Sequence, residues 1–188
     1  MTKLPRILVA LAALLLLLVF AFPLWRYDLG APQYPEGLAM TIWVNKVGGQ
    51  LALVNQLNHY IGMRAIDPDS MPELRYMPAI VVALVVSGLM VAIVGRRKWL
   101  VAWFLCLSGL GIIGLVDFYL WLRDFGTHLN PEAPITIPPF TPPLFGTNML
   151  ANFEVSSFPD IAGWAAFAAG ALALLALLLD IRRTRSAA

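Results

Sequence analysis

Cysteine is nearly absent: Cys106 is the only one among 188 residues, and it stands within a long apolar run. A single thiol excludes an intramolecular disulfide and any cysteine-rich zinc or iron-sulfur centre within one chain. It also leaves the redox state of the compartment unreadable from cysteine usage. Charge is scarce as well, at 13% of residues with a net of +2, too little to argue for nucleic acid as a partner. Histidine occurs only at positions 59 and 128, neither in an apolar run, which disfavours haem ligation between helices. There is no glycine-rich phosphate loop, no HExxH pair and no nucleophile elbow. No apolar run carries several charges, as a proton or ion pathway would. Nothing here reads as a self-contained enzyme.

What the chain has in quantity is apolar surface: 60% hydrophobic residues, with a mean hydropathy of +0.76. Four stretches, about 7–25, 77–95, 99–121 and 161–179, are each long enough to cross a bilayer, which takes ~20 residues. The expected fold is therefore a membrane, all-α protein: four transmembrane helices in a single integral membrane domain of residues 1–188, with two structured insertions at 26–76 and 122–160. The first stretch has a rival reading as a signal peptide cleaved after residue 21, since a basic start and Val19-Phe20-Ala21 make a passable cleavage site. The apolar run continues past Ala21 to Trp25-Arg26-Tyr27, which favours a retained span. Ser108, Gly111 and Gly114 in the third stretch, and Ala162, Ala166 and Gly170 in the fourth, form small-residue stripes that allow close helix approach. Asp160 reads as the N-cap of the fourth.

The insertions are punctuated by turn formers, Pro32, Pro35, Gly37, Gly48, Gly49, Pro68 and Pro72 in the first, and six prolines from Pro131 to Pro143 in the second. The first is too long for a bare turn. Met40 to Asn45 alternates like an extended strand, although an amphipathic surface helix has the same composition. Leu51 to Met63 reads as a helix, and Asp67-Pro68-Asp69-Ser70 as a turn. Eight of the thirteen Lys and Arg residues fall in the N-terminus, the 96–98 turn and the tail. The positive-inside bias then puts both termini in the cytoplasm and both insertions outside it.

That orientation sorts the chemistry. Both histidines and Met40, Met63, Met71 and Met149 fall in the outer insertions, with Met77 at the membrane edge. Imidazole and thioether without thiol suit copper in an oxidising compartment. His59 and Met63, four residues apart in Asn58-His59-Tyr60-Ile61-Gly62-Met63, would share one helix face; His128 and Met149 are candidates to complete the set. The plainer alternative is a methionine core filler and a histidine satisfying a backbone carbonyl. Asp117, near the outer end of the third stretch, is a costly ionisable group at that depth. It is either functional, paired with Arg26 or Arg123, or hydrogen-bonded to a neighbouring helix. A transporter would have it alone as a pathway group. Glu36 and Glu154 are further carboxylate candidates, or simply solvated.

Four stretches carry a resemblance: Leu57 to Met63, Asp117-Phe118-Tyr119-Leu120-Trp121, Pro142-Pro143-Leu144-Phe145-Gly146, and Asn152-Phe153 followed by Ser157-Phe158-Pro159-Asp160. They resemble a group of small bacterial membrane proteins encoded beside nitrous-oxide reductase and its copper-maturation factors. The likeness runs from Tyr34 to Gly163, and Asn58 to Met63 is its most specific part. It implies an accessory protein of the bacterial inner membrane that supports copper supply to, or maturation of, a periplasmic copper enzyme. Its partners would be that enzyme or other copper-maturation proteins, and His59 and Met63 the leading copper ligands. The chain departs from the group at Thr127, which separates Gly126 from His128 where the group's second histidine directly follows the glycine. A different class of function stays beside this one: a metal-free structural subunit of a larger complex, whose small-residue stripes pack on partner spans and whose insertions form a docking platform.

Overall fold

Each apolar run becomes a helix in the computed structural model, which describes residues 1–31, 34–150 and 153–185. Pro32 and Asn152, both singled out from the sequence, lie outside these residues. The helices are α1 (Lys3–Leu15, continued by a 3-10 segment, Leu16–Phe20), α2 (Leu51–Tyr60), α3 (Glu73–Val94), α4 (Arg97–Thr127) and α5 (Ile161–Arg185). All but the short α2 are long and apolar enough to cross a membrane.

Their ends differ from expectation for local reasons. The first helical run stops at Phe20, so Trp25-Arg26-Tyr27 is strand and not the interfacial end of a span. α4 continues past Trp121 to Thr127 because nothing between them breaks a helix and the first proline comes at Pro131. Helix α3 stops at Gly95, whose φ of 68° suits a left-handed C-terminal residue. Its last carbonyls are met from α1: Arg6 Nε donates to Ala92 O at 2.7 Å, and the same guanidinium donates to Ile93 O.

The expectation of an all-α fold is corrected by a five-stranded antiparallel sheet. Its strands are β1 (Trp25–Ala31), β2 (Tyr34–Ile42), β3 (Val47–Gly49), β4 (Gly146–Leu150) and β5 (Phe153–Pro159), in the order β3-β2-β1-β5-β4. Of the two readings open for Met40 to Asn45, the extended one holds as far as Ile42. Three strands come from the first insertion and two from the second, and they join at β1 and β5, where Tyr27 lies opposite Ser157. Burial alternates along β1: Trp25 and Tyr27 are buried, Arg26 and Asp28 exposed. That period of two is the mark of a sheet covered on one face.

The covered face packs on α2 and on one end of α4, where the Trp25 and Tyr27 rings stand edge-on to Phe118 at 5.6 and 6.1 Å. Trp25 Nε1 donates to Ser157 Oγ at 2.8 Å, Ser157 Oγ donates to Leu144 O at 2.8 Å, and Tyr27 OH donates to Pro143 O at 2.6 Å. These bonds tie the proline-rich segment to the sheet and satisfy three otherwise buried polar groups. Burial pushes the Tyr27 phenol well above its ordinary pKa, against a smaller lowering by Ser157.

Among the helices α1 is central, with Val9, Ala12 and Ala13 fully buried against α3 and α5. A close approach is made at Gly88, where an added Cβ would lie 2.7 Å from the Trp103 ring and 2.9 Å from Ala13. Trp103 Nε1 in turn donates to Leu84 O at 2.9 Å. The stripe expected to bring α4 close to a neighbour does something else. A Cβ at Gly111 would meet nothing within 4 Å, and at Gly114 only the tip of Met77 at 3.9 Å. Gly170 on α5 is equally open. These glycines border a cavity between the helices.

Candidate functional site

The segment Asn58 to Met63 is a helix ending, and that corrects the expectation of a helix through Met63. α2 stops at Tyr60, and Gly62 follows with φ 80°. Met63 N donates back to Asn58 O at 2.8 Å and Gly62 N to His59 O at 3.3 Å, the paired bonds of a Schellman turn. His59 and Met63 are therefore brought to one side by a left-handed reversal of the chain, not by a shared helical face.

The second insertion docks on this reversal. Asn130 N donates to Gly62 O at 2.8 Å and Ile135 N to Tyr60 O at 3.0 Å. An added Cβ at Gly62 would lie 2.8 Å from Asn130 O, so glycine is needed there both for its φ and for the contact. The consequence is a surface pocket of about 470 Å³ lined by His59, Gly62, Met63, Arg64, His128 and Asn130 among others. Two imidazoles and a thioether from separate insertions thus border one pocket.

Asp124, which the sequence reading passed over, organises the rim. Its Oδ1 lies 2.8 Å from His128 Nδ1, and the carboxylate pairs with Arg64, whose guanidinium lies over the Phe125 ring at 4.8 Å. The spacing of four residues between Asp124 and His128 on a helix end was the available signal. A carboxylate this close to Nδ1 leaves Nε2 as the ring nitrogen open to a ligand. His59 and His128 are both exposed.

The donor types, two imidazoles and a thioether, fit a soft ion such as Cu(I) better than a hard one. Among the described residues no group of three or more His, Cys, Asp or Glu could hold a metal, so a metal here would need the Met63 sulfur as its third protein donor. Met149 is not part of this pocket: it is exposed on the edge strand β4, opposite Glu154 of β5. Glu36, exposed on β2, and Glu154 border neither cavity.

A second, larger cavity of about 630 Å³ lies beneath the sheet, between the helices, with an almost wholly apolar wall. Asp117 faces it, together with Asn58 and Glu73. The pairing of Asp117 with Arg26 considered from sequence does not form, because Arg26 is held by Asp28 at 2.8 Å. Nor does Asp117 make an ion pair with Arg123 among the described residues. Asn58 is 6% exposed, and among the described residues its Nδ2 and the buried Oε2 of Glu73 have no hydrogen-bond partner.

No protein-family model matches the chain, and neither a curated protein nor a solved structure matches it.

Proposed function

We propose that this chain is a four-span protein of a bacterial inner membrane with both termini cytoplasmic. Its sheet and the His59 pocket face outward, and it holds copper at that pocket for supply to, or maturation of, a periplasmic copper enzyme such as nitrous-oxide reductase. The observation that carries the copper reading is the meeting of His59, Met63 and His128 at one pocket, across backbone bonds that join the two insertions. Four helices of sufficient length and apolarity support the membrane reading, and the basic turn and tail at the end away from the sheet support the orientation.

Copper bound there would supply soft-metal coordination, and the chain's own residues do the rest. Asp124 lies against His128 Nδ1 and pairs with Arg64, so the cation at the rim is compensated. The exposure of both imidazoles lets a partner protein reach the ion. Cu(I) titration of the purified chain is the test. His59→Ala and Met63→Ala should each weaken binding at least tenfold, and unchanged affinity in both would overturn the assignment. Orientation is read separately with an impermeant maleimide in a Cys106→Ser background. Asp28→Cys should react in intact cells, and Lys98→Cys only after permeabilisation.

The metal-free structural subunit remains the second reading, favoured by the outward side of α4, where Ile112 and Ile113 are 63% and 67% exposed. Copurification from membranes separates the two. A stable complex isolated without metal supports the subunit, and a monomer that binds copper removes it.

A further inference from the structure

The cavity beneath the sheet has three properties that together define an occupant. Its volume, about 630 Å³, lies within the ~300–1,000 Å³ of small-molecule sites. It opens sideways: Ile112 of α4 and Phe167 of α5 both line it while remaining 63% and 46% exposed, so the seam between these helices leads from the apolar belt of the bundle into the cavity. Gly111 and Gly170 line the same seam, where side chains would fill it. Finally, the mostly apolar wall carries a few polar side chains, among them Asn58, Glu73 and Asp117, contributed by three helices.

Two of these side chains are incompletely satisfied among the described residues. Asn58 Nδ2 is a buried donor with no acceptor, and Glu73 Oε2 a buried acceptor with no donor. Buried polar groups in folded proteins are nearly always partnered, and an apolar chain alone satisfies neither. A phosphate head would meet two carboxyl groups, which disfavours it. A hydroxyl both accepts and donates, which matches the two orphaned atoms.

We infer that this cavity binds a membrane-borne amphiphile, its hydrocarbon tail entering between α4 and α5 and its uncharged, hydroxyl-bearing head lying against Asn58, Glu73 and Asp117. The site rests on the membrane placement and not on the copper reading, although Met63 borders both this cavity and the His59 pocket. Two sources share this chemistry, hydroquinones with apolar tails and acylglycerols.

Native mass spectrometry of the full chain in detergent, titrated with dodecylhydroquinone, dioleoylglycerol or dioleoylphosphatidylglycerol, tests it. A saturable one-to-one adduct with either hydroxyl-headed probe, and at least tenfold weaker retention of the phosphatidylglycerol, is expected. Which of the two binds more tightly identifies the source. Gly111→Leu fills open space and Asn58→Leu removes an amide whose Nδ2 has no partner among the described residues, so both should fold with close to the parent's melting temperature. Each should weaken the adduct tenfold or more. Equal retention of phosphatidylglycerol, no saturable adduct, or unaffected variants would overturn the proposal. Copper titration of the Gly111→Leu protein, whose changed residue lines this cavity and not the His59 pocket, is expected to be unchanged, so failure of one site is distinguishable from failure of the other.

Discussion

At the scale of single residues, Gly62 does two things that no other residue type can do together. Its φ of 80° closes α2, and its missing Cβ admits the Asn130 backbone. Gly62→Ala should cost roughly 1–3 kcal/mol for the left-handed backbone alone, and more once Asn130 is displaced; thermal unfolding in detergent measures it. At the proposed copper site, Asp124→Asn should leave the fold intact yet weaken Cu(I) binding about 10–100-fold, the effect of removing a group that orients a ligand histidine. Tyr27 makes stability depend on alkaline pH. Burial raises its folded-state pKa above 10.0, so the stability this neutral phenol contributes is whole below that value and is lost as pH rises from there toward the folded value. Melting temperatures taken from about pH 8 to 11 should fall steeply only above the phenol's ordinary range. Tyr27→Phe should flatten that fall, while costing about 1 kcal/mol at neutral pH for the lost bond to Pro143.

Among the elements, the stripes of small residues divide by what stands opposite them. Gly88 of α3 meets the Trp103 ring and Ala13, whereas Gly111 of α4 meets nothing. Gly88→Leu should therefore destabilise by about 1–3 kcal/mol or prevent folding, the range for overpacking, while Gly111→Leu should be nearly neutral. A pair of unfolding curves checks the contrast. In the sequence the two glycines look alike, because each interrupts an apolar run at helical spacing. Which one lies in a contact depends on how far α4 stands from its neighbours, and that is a property of the assembled bundle. The same limit applies to Asn58 to Met63. The His59 and Met63 spacing was legible, but the helix stop at Tyr60 depends on the left-handed Gly62 and on the docking of Asn130.

The whole molecule is held together by its two insertions as much as by its helices. Strand β5 pairs with β1, and α5 packs on α1, so α5 is tied to the start of the chain at both levels. A protease site placed at 136–139 should accordingly leave two fragments that copurify in mild detergent. Their separation on gel filtration would show that neither the sheet nor the helix contact holds without chain continuity. By itself the sequence determined the four long apolar helices, the turn at 67–70, the N-cap position of Asp160, whose carbonyl accepts from Trp164 N at 2.9 Å, and the candidate residues His59, Met63, His128 and Asp117. Those features are local, since hydrophobic length and turn chemistry act within a few residues. The sheet, the shared border of His59 and His128, and the cavity behind Asp117 were decided only by tertiary structure. Each joins segments some 65 to more than 100 positions apart, as Gly62 is from Asn130 and Trp25 from Ser157, and pairing at such distance leaves no period in either segment from which its partner can be read.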